Sequence, residues 1–241
     1  TQAKNEFTAD LDFGLKLAEA SDAAVLWNAV QVNERHPHQH RRMLKWVNEA
    51  REKGLNIWMQ AITTPNDMRF KLDNFNLFDG NGAWRDVTIG DVATRISKMQ
   101  DPALRKAVRD DYDFGSAPFV SGPVSEIVVD SVVNPENQKY VGLTIAQLGP
   151  AMGRHPADAM LDLAISEQLQ TVFYVVPFNY REDLLNEVLE NEWTVPGVSD
   201  GGAHTKFLNF GRYPTNMLQD LVRERGSYTL EEAHYRLSAL P

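Results

Sequence analysis

Val195-Pro196-Gly197-Val198-Ser199-Asp200-Gly201-Gly202-Ala203-His204 decides how the rest of the chain is read. Thr194 to Val198 is an apolar run of strand length that breaks off at Ser199-Asp200-Gly201-Gly202. Two glycines after an Asp let the backbone take positive φ and turn sharply. Asp200 then stands at the carboxyl end of a strand with its side chain at the rim. In a barrel of parallel strands, that rim is where chemistry is done. The same residues also fit an Asx-turn in which Asp200 only caps its own loop. The local sequence leaves both readings open.

Upstream of this stretch the chain alternates. Asp10 to Ala20 reads as a helix with Leu11, Leu15 and Ala18 on one face. Ala23 to Val32 is a mostly apolar run, read as a buried parallel strand. Pro37 opens a helix that Gly54 stops, with Met43, Val47 and Ala50 as its buried stripe. Leu55 to Ile62 is the next strand. Such alternation marks a parallel α/β sheet. From Thr63 to Val133 it breaks. Asn74 to Trp84 reads as a long loop. Helices follow at Ile89 to Met99 (Val92, Ile96 and Met99 inward) and at Ala103 to Tyr112 (Leu104, Ala107 and Val108 inward). We expect this 63–133 segment to be an insertion over the barrel rim, either a lid or a packing appendage. Glu126 to Val133 reads as an edge strand. Thr144 with Gln147 is a capping box, Gly153 ends that helix, and Pro156 starts the next, through Glu167. Thr171 to Val176 reads as a fully buried strand, and Arg181 to Glu192 as a helix with Leu184, Leu185, Val188 and Leu189 inward. Thr229 with Glu232 is a further capping box. No internal repeat and no domain linker stand out.

The composition sets bounds. In 241 residues, 43% hydrophobic content supplies a real core. No window approaches the roughly 20 apolar residues of a membrane span. Without cysteine there are no disulfides and no thiolate ligands, which fits a reducing, cytoplasmic compartment. A net charge of −9 argues against nucleic-acid and anionic-membrane partners. No phosphate-binding Gly-rich loop is present.

The Ser199-Asp200-Gly201-Gly202-Ala203-His204 run is followed by Tyr213-Pro214-Thr215, then by Leu221-Val222-Arg223-Glu224-Arg225-Gly226, then by Leu230-Glu231-Glu232-Ala233. Gly142-Leu143-Thr144-Ile145-Ala146 and His155-Pro156-Ala157-Asp158-Ala159-Met160-Leu161 precede it. This succession resembles the D-aminoacylase branch of the amidohydrolase superfamily, the N-acyl-D-amino-acid deacylases. The resemblance implies the later part of a (β/α)8 TIM barrel, that is, an α/β fold carrying an inserted helical and loop segment. Members of that branch are longer. They open with a His-x-His metal motif and close with a small β-sandwich, so we expect residues 1–241 to be a fragment without the first strands or the sandwich. The resemblance makes Asp200 the catalytic proton shuttle and a metal ligand. The metal is a divalent ion, zinc by analogy, as one or two ions whose other ligands lie mostly outside this chain.

Hydrolysing an amide needs an activated water, a polarised carbonyl and an acid for the leaving amine. A metal supplies the first two, and a rim carboxylate moves the proton. Ser199, Gly201, His204 and Asn28 are the candidate substrate contacts, with Gln31, Gln60 and Asn179 as further polar residues near strand ends. His36, His38 and His40 look like a metal cluster, but a helix starting at Pro37 points residues at spacing two about 200° apart. They read as a polar helix start. Trp27, Trp46 and Trp58 read as core. The chain departs from the family pattern where a Ser-His-His-Lys-like motif ends the matching strand. Here that strand carries Trp27-Asn28-Ala29-Val30-Gln31, and the next offers Gln60 and Thr63. Two functions follow: a metal-dependent amidohydrolase acting on a small N-acyl substrate, or a barrel that keeps the Asp loop and serves as a binding or structural protein. A homo-oligomer is compatible with either.

Overall fold

The computed structural model describes residues 2–21, 23–115, 122–178, 181–201 and 210–241. Six strands are present among them: β1 (Val25–Val30), β2 (Ile57–Ile62), β3 (Asn66–Phe70), β4 (Val128–Ser131), β5 (Val172–Phe178) and β6 (Thr194–Gly197). The helices are α1 (Gln2–Ala20), α2 (His38–Glu52), α3 (Gly82–Thr88), α4 (Val92–Gln100), α5 (Pro102–Phe114), α6 (Ile145–Met152), α7 (Pro156–Ser166), α8 (Glu182–Leu189), α9 (Tyr213–Asn216) and α10 (Leu230–His234). The described residues of Thr1–Asn66, Phe178–Thr205 and Asn209–Pro241 form one compact unit, and those of Asp67–Pro177 form another.

The first unit is built on a parallel sheet in the order β1-β2-β6. Its register sets Asn28 beside Gln60 and Gln60 beside Val195. Side chains alternate along strands, so one face of the sheet carries Ile57, Met59 and Ala61 with Val30, and Val32 just past β1 joins them in the core. These are buried together with Met43, Val47 and Ala50 of α2 and with Leu184, Val188 and Leu189 of α8. Burying each of the Val, Leu, Ile and Met side chains contributes about 1.5–3 kcal/mol. The face turned away carries Leu26, Asn28, Trp58, Gln60, Ile62, Val195 and Gly197. α1 packs its Leu11 and Ala18 into the same core. Gly14 lets α1 approach closely, because a Cβ there would lie 3.2 Å from Trp46 and 3.3 Å from Trp27. Those two rings meet edge to face at 5.3 Å.

The second unit holds a sheet in the order β3-β5-β4, with β4 at its edge and antiparallel to β5. Two expectations are corrected here. The expected strand Thr171–Val176 does not join the parallel sheet; from Val172 it forms β5 of the other sheet, antiparallel to β4. An unbroken apolar run signals burial and carries no information on strand direction. In addition, β2 leads into β3 and not into a helix. The Asn74–Trp84 stretch is more ordered than a loop. Asn76 and Asp79 form a reciprocal capping box on the 3-10 turn Leu77–Gly80, and α3 begins at Gly82. Trp84 is fully buried and stacks on Phe78 at 4.5 Å. The helix expected from Ile89 starts at Val92, because Asp91 caps it by accepting from the Thr94 N–H. It turns Arg95 and Met99 inward. On α5 only Val108 is buried, and Ala107 is exposed. The capping boxes at Thr144 and Thr229 are both formed.

One electrostatic clamp ties α2 to α8 in the first unit. His40 is fully buried and its Nε2 lies 3.0 Å from a Glu187 carboxylate oxygen. Arg41 donates to both oxygens of the same carboxylate, at 2.7 and 2.6 Å. His38, two residues earlier, is exposed, as helical geometry requires. The Arg41 hydrogen bonds, joined by that of His40, hold the Glu187 carboxyl at about 2, below its ordinary 4.5. A carboxylate depressed in the folded state contributes stability above its unfolded range, and that contribution fades as pH falls through the folded value. Glu187→Gln is therefore expected to lower unfolding stability at pH 7 by about 1 kcal/mol, since Arg41 and Glu187 are both partly exposed and solvent screens the pair. Urea titrations should show the gap between variant and parent closing from pH 4.5 toward pH 2. A gap that does not change with pH would contradict the clamp.

Candidate functional site

Parallel strands all deliver their carboxyl ends to one rim. Here β1, β2 and β6 bring Gln31, Thr63 and the Val198–Gly201 turn to the same side of the first unit. β6 ends at Gly197. Val198 then takes φ +65 and Asp200 φ +46. Asp tolerates the left-handed region, whereas a β-branched Val there is held only by its surroundings. Val198 is indeed buried, and the Ser199 carbonyl is fixed by accepting from the Phe210 N–H at 2.9 Å.

The turn is closed by Ser199. Its Oγ accepts from the Gly201 N–H at 3.3 Å, and both residues are exposed. Asp200 is half-buried, and among the described residues its carboxylate has no hydrogen bond or ion pair. The capping task that an Asx-turn would give Asp200 is thus carried by its neighbour. Asn28 is exposed and lies in register with Gln60. His204 and Asn179 fall outside the described residues.

Gln60 makes a contact that nothing in its own sequence neighbourhood announces. Its side chain lies against β6 at Gly197, where an added Cβ would come within 2.3 Å of Nε2. The signal was Gly197 itself: a glycine inside a strand often marks the close approach of another group. Two polar atoms near the ends of β1 and β2, Gln31 Oε1 and Thr63 Oγ1, are buried with no partner among the described residues.

As a metal site this rim is incomplete. Among the described residues no three His, Cys, Asp or Glu side chains come together in a way that could hold an ion. Asp200 is the one carboxylate of the Val198–Gly201 turn, and Asn28, Gln31, Gln60 and Thr63 of the neighbouring strands are amides and a hydroxyl, poor donors for zinc beside imidazole, thiolate and carboxylate. The described residues therefore do not by themselves fit a metal centre. No helix of the described residues is long and apolar enough to cross a membrane.

Clefts open at the opposite end of the same sheet. One of about 570 Å³ is lined by Asn48, Arg51, Glu52, Glu190, Asn191, Glu192 and Trp193. Its floor is occupied by the protein's own cation, the Arg51 guanidinium, 3.8 Å from the Trp193 ring centre and 4.9 Å from that of Trp58. In parallel α/β folds, however, ligands meet the carboxyl ends of the strands.

No family model matches the chain. Curated relatives are an uncharacterized protein of Mycobacterium bovis and its counterparts in two strains of Mycobacterium tuberculosis, each 28% identical over 194 residues. The match takes in 77% of this chain but only 31% of theirs, so the chain spans about a third of the length of these relatives. Among solved structures it is similar to an N-acyl-D-glutamate deacylase from Bordetella bronchiseptica, complexed with zinc and a phosphonate inhibitor, at 15% identity and a TM-score of 0.49. It is similar also to a D-aminoacylase, at 12% identity and the same TM-score. Each similarity covers 97% of this chain and 38% of the solved one.

The Gln60 contact yields a test. Gly197→Ala should push the Gln60 side chain off β6, at an overpacking cost of about 1–3 kcal/mol. Gln60→Ala clears the space, so the double variant should recover most of that loss. Strictly additive losses in the double-mutant cycle would show that the two residues do not touch.

Proposed function

We propose that this chain is the later part of a (β/α)8 barrel of the D-aminoacylase kind and that it hydrolyses a C–N bond, removing the acyl group from an N-acyl-D-amino acid or a similar N-acyl compound. The observation that carries this reading is the state of Asp200. It follows a parallel strand, its carboxylate is not engaged by the described residues, and Ser199 performs the turn closure in its place. The succession of motifs around Ser199–His204 supports the substrate class.

In this reading a water molecule attacks the acyl carbon. Its proton passes to the Asp200 carboxylate and from there to the amide nitrogen, the C–N bond breaks, and a carboxylate and an amine leave. Ser199 and Gly201 shape the loop that presents Asp200. Asn28 and His204 are the residues assigned to contact the substrate. A divalent metal, zinc by analogy, would polarise the carbonyl and the water. Asp200 is the residue here suited to touch it, and the remaining ligands would have to come from beyond the described residues.

A second reading, a non-catalytic binding or structural barrel, draws on one observation: β1 and β2 carry Asn28 and Gln60, with Thr63 just past β2, where imidazoles would serve a metal. One variant separates the two. Asn tolerates positive φ as Asp does and closes turns equally well, so Asp200→Asn should leave the fold intact by circular dichroism. It cannot take a proton from water, and general acid–base catalysis contributes roughly 10²–10⁴ in rate. Release of amine from an N-acyl-D-amino acid by the parent, falling by about that factor in the variant, is the expected result. A full-length parent inactive on every N-acyl-D-amino acid supplied, or a full-length variant as fast as that parent, would contradict the hydrolytic reading.

A further inference from the structure

The face of the parallel sheet turned away from its helices carries an unusual set of side chains. Strand register places Asn28 directly beside Gln60 on that face. Gln31 lies one residue past β1, beyond a register shift between Asn28 and Val30, and is flanked by Val30 and Val32 of the helix-side core, so an extended backbone there sets it on the same face as Asn28 and Gln60. Toward the amino end this face is apolar, with Leu26 and Trp58. Toward the carboxyl end, on the side of Asp200, it presents three carboxamides.

These amides are not neutral filler. Gln31 Oε1 is buried and unpartnered among the described residues. A buried acceptor without a donor is destabilising, and native structures tolerate one chiefly where something else completes it. Gln60 is held against β6 at Gly197, where no larger residue fits without displacing it. A carboxamide both donates and accepts and has no charge, and so does a secondary amide, with one N–H and one carbonyl. A charged ligand would find no counter-charge in this set.

We infer that Asn28, Gln31 and Gln60 form a carboxamide subsite that binds the uncharged N-acyl amide of the ligand, with Gln31 Oε1 accepting the amide N–H. This rests on the reading of the chain as an N-acyl hydrolase and assigns its specificity: the subsite selects a secondary amide over the corresponding ester. Sites built to pair with a substrate N–H or O–H reject analogues that lack it, because their own polar groups are then left unpaired.

Calorimetry on the full chain carrying Asp200→Asn tests this without turnover. The probes are N-acetyl-D-leucine and its ester counterpart, (R)-2-acetoxy-4-methylpentanoate, which lacks the N–H. The expected result is binding of the amide about tenfold or more tighter than the ester, the scale of one hydrogen bond to a buried group. Adding Gln31→Leu should weaken the amide to the level of the ester, leave the ester unchanged, and leave the melting temperature equal or higher, since an unpaired buried acceptor has been removed. Equal affinity for amide and ester in the Gln31 protein overturns the inference, as does the absence of binding by either. Should the Leu variant fail to fold, the amide–ester comparison alone decides. Amide-selective binding with no hydrolysis by the wild type would sink the hydrolase reading and leave the subsite standing. Hydrolysis without amide selectivity would do the reverse.

Discussion

The parallel register of β1, β2 and β6 is the constraint on which the site depends. Parallel strands cannot be joined by tight hairpins, so each must be followed by a connection that returns the chain to the starting edge. Their carboxyl ends then gather at one rim without any specific attraction between the rim residues. Asn28, Gln60 and Val195 stand level because hydrogen-bond geometry sets them so. Asp200 reaches the rim because β6 ends three residues before it, and because Val198 accepts a left-handed conformation that only a packed environment sustains.

The helices enforce this register from behind. α2 and α8 pack aliphatic side chains onto one sheet face, and the His40–Glu187–Arg41 clamp holds the two helices together at the edge of that layer. A one-residue slip of β2 would move Met59 and Ala61 out of the core and Gln60 into it. Burial of the one set and the polarity of the other therefore fix the same register from opposite faces. The polar face follows from the packing of the apolar one.

Much of this was legible in the sequence, and the exceptions have physical causes. The runs at Val25–Val30, Ile57–Ile62 and Thr194–Gly197 were readable as buried strands, and the helix that begins after Pro37 was readable from its 3.6-residue stripe. Thr171–Val176 looked the same as these and yet joined an antiparallel pair, since direction is set by connections and not by composition. The turn after Val198 was visible as Ser-Asp-Gly-Gly, but which oxygen would close it was not; Ser199 and Asp200 are equally competent, and tertiary placement chose Ser199. His40 could be told from His38 by helical phase, but its partner 147 residues away could not. Gln60 against Gly197 is a contact between strands distant in sequence, with only the glycine as a hint.

The central claim is that the rim carrying Asp200 directs water at an acyl carbon. It is tested most directly by allowing the full chain to act on an N-acetyl-D-amino acid in oxygen-18 water and weighing both products by mass spectrometry. The account predicts that one oxygen-18 atom appears in the released acetate and none in the amino acid, with label incorporation abolished alongside turnover when Asp200 is replaced by Asn. Acetate released without label at single turnover, or no release from any N-acetyl-D-amino acid, would contradict it.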